Sequence, residues 1–187
     1  MSTIIINGHP DRNSYCTTLA SSYHRSLVNN SHPATLLNLF DLKFDLNLVG
    51  GYKNNSLEHD LIEAQNLIRQ SQHLVFVYPT WWWTMPALLK GFIDRVFVPG
   101  FAFQYIKGKS IAEKLLTDKR ATLIVTMDSP QWYYRWWMRN VGHFAMKQGI
   151  LAFCGIRRTR IITIDNHRTL TEDQRQAWLR KIEKLAG

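Results

Sequence analysis

Four short segments of this chain are apolar on both faces, and that pattern narrows the fold more than any other feature. Thr3 to Asn7, His73 to Tyr78, Arg120 to Thr126 and Arg157 to Ile164 read as strands, with Ala34 to Leu39 as a fifth, shorter candidate. A strand without polar alternation has to be covered on both sides. The covering elements lie between the strands. Ser14 to Val28 has helical character, and Leu57, Leu61, Ala64 and Ile68 recur at helical spacing in a helix that runs to about Ser71. Pro86 suits the first turn of a helix reaching about Val98, and another spans about Met138 to Phe153. Thr171-Glu172-Asp173-Gln174 fits a capping box, followed by Trp178, Ile182 and Leu185 on one face. Strict strand–helix alternation predicts an α/β fold: a doubly wound, five-stranded parallel sheet with helices on both faces. Residues 41 to 56, rich in Asn, Gly and Asp, read as a loop. Nothing divides the 187 residues, so one domain over residues 1–187 is expected.

Composition excludes several classes. An apolar share of 45% and an aromatic share of 12% rule out a disordered or collagenous chain. The net charge of +9 is unevenly placed: residues 1–89 carry five basic and six acidic groups, residues 90–187 eighteen and eight. Such a field favours anionic partners without naming one. Cys16 and Cys154 make no disulfide framework, and no CxxC occurs. Ile4-Ile5-Ile6 stops at Asn7, too short for a signal peptide, and no apolar run is long enough to span a bilayer. A cytoplasmic protein with no membrane insertion is the expectation.

Ligands of doubly wound sheets bind beyond the carboxyl ends of the strands, which singles out residues 8–14, 79–85 and 126–137. The first loop, Gly8-His9-Pro10-Asp11-Arg12-Asn13-Ser14, leads into a helix N-terminus, a natural anion site. His9, Arg12 and Ser14 suit a phosphate, although Ser14 also serves as a plain N-cap. No GxGxxG is present, so a dinucleotide fingerprint is not supported. The second loop holds Trp81-Trp82-Trp83. Successive side chains cannot all face one core, so at least one meets solvent, a flat ligand or a second subunit. The third, Thr126 to Trp137, interleaves Trp132, Tyr133, Tyr134, Trp136 and Trp137 with Arg135. Single-stranded nucleic acid would suit that mixture, but an interface and pocket reading is favoured and no nucleic-acid partner is expected. Gly108-Lys109-Ser110 resembles the end of a P-loop, yet Phe103 stands where its first glycine belongs. No metal spacing is found among the seven histidines. Asp94 and Arg95 read as a structural pair, Cys154 as a core thiol and His143 as a helix-surface residue. Cys16, near a helix N-terminus, is a candidate for a more acidic thiol than usual.

Gly8-His9-Pro10 and the stretch Pro79-Thr80-Trp81-Trp82-Trp83-Thr84-Met85-Pro86-Ala87-Leu88-Leu89-Lys90-Gly91-Phe92-Ile93-Asp94-Arg95-Val96 resemble the flavodoxin-like NAD(P)H:quinone oxidoreductases, the group that includes DT-diaphorase and the modulators of drug activity. Gly100-Phe101-Ala102-Phe103 and Gly149-Ile150-Leu151-Ala152-Phe153-Cys154-Gly155 share in the resemblance. It implies a flavodoxin-like fold, non-covalently held FMN or FAD, and a homodimer with the pocket at its interface. By resemblance, His9, Ser14, Tyr15 and Cys16 contact the flavin phosphate. Pro79, Thr80, Trp81, Trp82 and Trp83 line the isoalloxazine, and Thr126, Met127 and Asp128 close the other side.

One departure matters. The family's threonine-glycine-glycine loop, with a following tyrosine and histidine, is replaced here by Thr126-Met127-Asp128-Ser129-Pro130. Tyr133, Tyr134 and His143 are then the candidates for the catalytic roles, and substrate preference and proton handling stay open. The implied activity is two-electron reduction of a quinone or similar acceptor, with hydride from NAD(P)H. An azo, nitro or flavin reductase is the neighbouring alternative. A flavin- and nucleotide-binding regulatory subunit of a transporter, docking through the basic half, is the alternative from another class.

Overall fold

The computed structural model describes residues 2–54, 56–108 and 111–186. Lys109 and Ser110 of the P-loop-like motif, and Asn55 of the 41–56 loop, lie outside the described residues. The main sheet contains β1 (Thr3–Asn7), β2 (Ala34–Asn38), β3 (His73–Pro79), β6 (Arg120–Thr126) and β7 (Arg158–Ile164). Their order is β2-β1-β3-β6-β7, and every pairing is parallel. The expected five-stranded, doubly wound sheet is therefore borne out. A small antiparallel pair, β4 (Phe103–Gln104) and β5 (Glu113–Lys114), sits between β3 and β6 in the chain and was not anticipated, since two residues per strand carry no readable alternation.

The sheet has two buried faces because its strands alternate between two apolar sets. Ile5, Val75, Val77, Ile124, Ile162 and Ile164 pack against α1 (Tyr15–Asn29) and α6 (Glu172–Ala186). Ile4, Ile6, Leu74, Phe76, Leu123 and Val125 face the opposite layer. That layer is made by α2 (His59–Gln70), α3 (Ala87–Val96) and the helical stretch that begins at residue 141. Among the described residues, no helix is long and apolar enough to cross a membrane.

The caps follow their residues. Ser14 caps α1, its hydroxyl accepting the Thr17 N–H at 3.2 Å. Thr171 and Gln174 close the capping box reciprocally, at 2.9 and 3.3 Å.

Three local expectations need correction. Asp94 and Arg95 do not pair, because neighbours on a helix point about 100° apart. Asp94 instead bonds Lys90 at 2.7 Å, and the buried Arg95 reaches Glu58 at 2.7 Å and the carbonyl of Asp45. The helix expected over Met138 to Phe153 is broken near its start. A short α4 (Gln131–Trp136) gives way to Arg139 and Asn140 at φ of 51° and 53°, and helix resumes at α5 (Val141–Phe144). It continues as a wide π-helical stretch over Ala145–Ala152. Finally, His143 is not on the helix surface but 8% exposed, because the break turns α5 inward onto Tyr134.

Candidate active site

The parallel arrangement brings the loops after β1, β3, β6 and β7 to one edge of the sheet, where they enclose a cleft of about 350 Å³. Four sequence-selected residues, His9, Ser14, Tyr15 and Cys16, line it from the β1–α1 side. Pro79, Thr80 and Trp81 line it from the end of β3, and Thr126, Met127 and Asp128 from the end of β6. Ten residues spread over 120 positions are thus brought together, because parallel strands deliver every following loop to the same end.

The floor at the β1 loop is rich in donors. Tyr15 and Cys16 open α1, so their amide N–H groups have no intrahelical acceptor. The helix dipole adds a partial positive charge of about half an elementary unit at this end. His9 accepts the Asp11 N–H on Nδ1 at 2.9 Å. Its proton therefore resides on Nε2. Burial holds His9 below the usual histidine range, partly offset by Asp11, so it is neutral near pH 7. Its ring meets the edge of Trp81, with centroids 5.7 Å apart.

Cys16 departs from expectation. Its thiol is 2% exposed and contacts the Thr126 hydroxyl at 3.4 Å. Burial pushes its pKa up to about 12, outweighing that contact. The helix N-terminus acidifies a thiol only where the thiolate is solvated or paired, and here it is neither. Cys16 is a wall, not a nucleophile. Cys154 is buried as well, in keeping with a core thiol.

Two cleft residues escaped the sequence reading: His167 and Arg168, in the loop after β7. Arg168 Nε lies 2.9 Å from Asp128, whose other carboxylate oxygen is 4.0 Å from His167. The His167 ring packs at 5.2 Å from that of Tyr15, and the Tyr15 hydroxyl donates to the Arg175 carbonyl at 2.8 Å. The signal that could have found them is the rule already applied to the other loops, since β7 ends at the same edge.

The aromatic loop splits its three tryptophans. Trp81 stays at the cleft, Trp82 is 95% exposed, and Trp83 stacks on Tyr134 with centroids 5.9 Å apart. Trp82 and Trp83 both have positive φ, 49° and 64°. Side chains rarely adopt this strained conformation, and here it aims adjacent rings in different directions. Neither Trp82 nor Trp83 lines the cleft with its ring.

The three residues expected to carry catalysis are not at this cleft. Tyr134 is fully buried, and its hydroxyl is saturated: it accepts the N–H groups of Gly142 at 2.8 Å and His143 at 3.2 Å and donates to the Trp83 carbonyl at 3.2 Å. It clasps the tryptophan loop to α5. Tyr133 packs on Trp83 and Trp132. His143 opens instead on a neighbouring cavity of about 460 Å³ with Arg135, Arg139 and Lys147. Its Nε2 has no hydrogen-bond partner among the described residues, and burial lowers its pKa to about 4. Replacing Tyr134 by Phe should leave two buried amides and a carbonyl without a partner. The expected loss is about 2 kcal/mol of unfolding free energy in urea titrations, with the sheet intact.

Comparison with known proteins accords with this architecture. The flavodoxin-like fold family matches residues 1–186. An uncharacterized NAD(P)H oxidoreductase of Haemophilus influenzae is 25% identical over 186 residues, covering 96% of this chain and 91% of its own. The mouse ribosyldihydronicotinamide dehydrogenase [quinone] is 32% identical over 114 residues, 57% of this chain and 47% of its own, so the chain spans about half of that relative. The crystal structure of Smu.1420 from Streptococcus mutans superposes with a TM-score of 0.83 at 28% identity, covering 100% of this chain and 98% of the other. The resemblance read from Gly8–Pro10 and Pro79–Val96 is borne out, and the chain belongs to the flavodoxin-like fold family.

Proposed function

We propose that this protein is a flavin-dependent NAD(P)H oxidoreductase that reduces a quinone or similar acceptor by two electrons. The observation that carries the reading is the cleft, which joins free helix-start amides and an apolar aromatic wall within one cavity. That donor set fits a flavin phosphate and ring without any added group. The Haemophilus and mouse relatives bear NAD(P)H and quinone in their names, which supports the same class.

A bound flavin supplies the redox chemistry, taking hydride from NAD(P)H and passing it to the acceptor. The chain's own residues bind and orient. The Tyr15 and Cys16 amides, the Ser14 hydroxyl and His9 Nε2–H hold the phosphate by charge-assisted hydrogen bonds. Pro79, Thr80 and Trp81 form one wall for the ring, and Thr126, Met127 and Asp128 the other. Arg168 pairs with Asp128 at the rim. A cavity of about 350 Å³ suits FMN, whereas the adenylate of FAD would extend beyond it. With Tyr134 and His143 away from the cleft, proton handling falls to His9 and His167. The cytoplasm suits a chain whose two cysteines are free and buried.

The test is a visible spectrum of protein incubated with FMN or FAD and desalted, recorded before and after anaerobic NADPH. Retained flavin that bleaches is expected, and Ser14→Ala should weaken FMN affinity by about tenfold, the worth of one charge-assisted bond. Retention of neither flavin would end the reading.

A homodimer completes the proposal. Trp82, Trp136 and Trp137 are 95%, 75% and 76% exposed, and Phe144 66%, more aromatic surface than a monomer usually leaves in water. Trp136→Glu with Trp137→Glu is expected to halve the mass measured by sedimentation, and an unchanged mass would place the interface elsewhere.

A further inference from the structure

The end of the sheet opposite the cleft carries a second cavity, of about 700 Å³, whose lining the proposed activity does not use. Its floor is the sheet face that elsewhere packs on α1 and α6. Along the strand register, the first row of that face reads Thr3, His73, Arg120, Arg158, and the row above continues through Thr122 to Arg160. One step further the same face turns apolar at Val77, Ile124 and Ile162. The polar run of Arg120, Thr122, Arg158 and Arg160 on this face coincides with the cavity. Thr3, His73 and Thr122 are 5%, 6% and 6% exposed, whereas Arg120, Arg158 and Arg160 are exposed, so a buried polar floor is bordered by solvated guanidinium groups.

Two independent features give the cavity a chemistry. Among the described residues, Arg120, Arg158 and Arg160 make no ion pair and no carboxylate side chain lines the space. Tyr23 projects from α1 into the same lining at 3% exposure, and its hydroxyl has no hydrogen-bond partner among the described residues. Arg120 and Arg160 lie near enough to it to oppose the upward push of burial on its pKa. Beside three arginines that make no ion pair among the described residues, this hydroxyl is a donor in the cavity lining that an incoming acceptor can use. The carboxyl ends of α1 and α6 point this way and oppose an anion, but each amounts to about half a charge. Three guanidinium charges outweigh them.

We propose that this cavity is a second binding site, for a small organic phosphate monoester. Arginine forks match the planar faces of a phosphate, and a dianion answers three positive charges better than a carboxylate does. Leu27, Ile162 and Leu185 supply a wall for the apolar part of the ligand. His73, whose Nε2 bonds the Thr122 hydroxyl at 2.9 Å, is held neutral and contributes shape rather than charge.

The test is a titration of the full chain, with and without FMN, with phenyl phosphate, inorganic phosphate and benzoate, followed by ¹H–¹⁵N spectra that include arginine Nε–H signals. Site-resolved shifts separate this cavity from the flavin cleft, so the outcome stands apart from the flavin reading. Saturable shifts are expected at Arg120, Arg160 and Tyr23, with phenyl phosphate at least about tenfold tighter than benzoate and tighter than inorganic phosphate. Arg160→Gln should weaken phenyl phosphate by about tenfold or more, and Tyr23→Phe by about threefold to tenfold. If Arg160→Gln does not fold, Arg158→Gln takes its place. Shifts that do not saturate, that are equal for benzoate, or that survive both substitutions unchanged would overturn the proposal.

Discussion

Acidification from pH 7.5 to 4.5 is expected to remove on the order of 4–6 kcal/mol of unfolding free energy, through two buried histidines. His73 and His143 are 6% and 8% exposed, and each has its pKa lowered to about 4. Burial is the cause in both, with Arg120 adding repulsion at His73. Unfolding releases each to about 6.5. Above that value neither state binds the proton, and the stability is fully present. Between about 6.5 and 4 the unfolded chain takes up protons that the folded one refuses, so stability falls as pH falls. Each histidine contributes on the order of 2–3 kcal/mol. Against a total of about 5–15 kcal/mol, that is a large share. Glu58 and Glu183 act in the same direction but lower down. Burial would raise Glu58, yet the Asp45 amide and Arg95 outweigh it, and the Ser22 hydroxyl with Arg25 lowers Glu183. Their contribution is lost only as pH falls through their depressed pKa values. Urea unfolding across the range checks the prediction, with His73→Gln and His143→Phe each removing about half the slope. A flat profile in the unsubstituted protein would refute it.

Substituting Gly142 by Ala is expected to cost more than 3 kcal/mol or to displace the tryptophan loop, above the usual range for overpacking. An added Cβ would press on the carbonyl oxygen of Trp83 and lie 2.8 Å from the Tyr134 hydroxyl and 3.0 Å from Thr84 Cα. Two of these three atoms are backbone and cannot rotate away. The clasp that sets Trp83 must then open, and Trp81 with it, so flavin retention should drop together with stability. Gly149, in the same helical stretch, is the control, since nothing lies within 4 Å of its would-be Cβ. Gly149→Ala should be neutral or stabilising by about 0.5–1 kcal/mol. Equal effects at the two positions would mean that helix propensity, not the close approach, decides.

The sequence by itself determined the main sheet, its five strands and most of its helices, because two-faced apolar strands and helical periodicity are local patterns with a global consequence. It also pointed to the loops whose residues line the cleft, since a parallel sheet has one carboxyl edge. His167 and Arg168 obey the same rule and were legible in principle. Other features depended on what packs against each group, which no linear pattern records. A thiol at a helix start reads as acidic until Thr126 and the surrounding core bury it. That Tyr133, Tyr134 and His143 stand apart from the cleft is set by the left-handed turn at Arg139 and Asn140, which folds α5 onto Tyr134 and engages its hydroxyl. Three adjacent tryptophans look alike until strained backbone at Trp82 and Trp83 sends one to the cleft, one to solvent and one beneath Tyr134. The basic half reads as diffuse charge until strand register stacks Arg120, Arg158 and Arg160 beside Tyr23. Periodicity sets which face a residue occupies. Only the tertiary structure sets what it meets there, because solvation and hydrogen-bond partners come from residues far away in the chain.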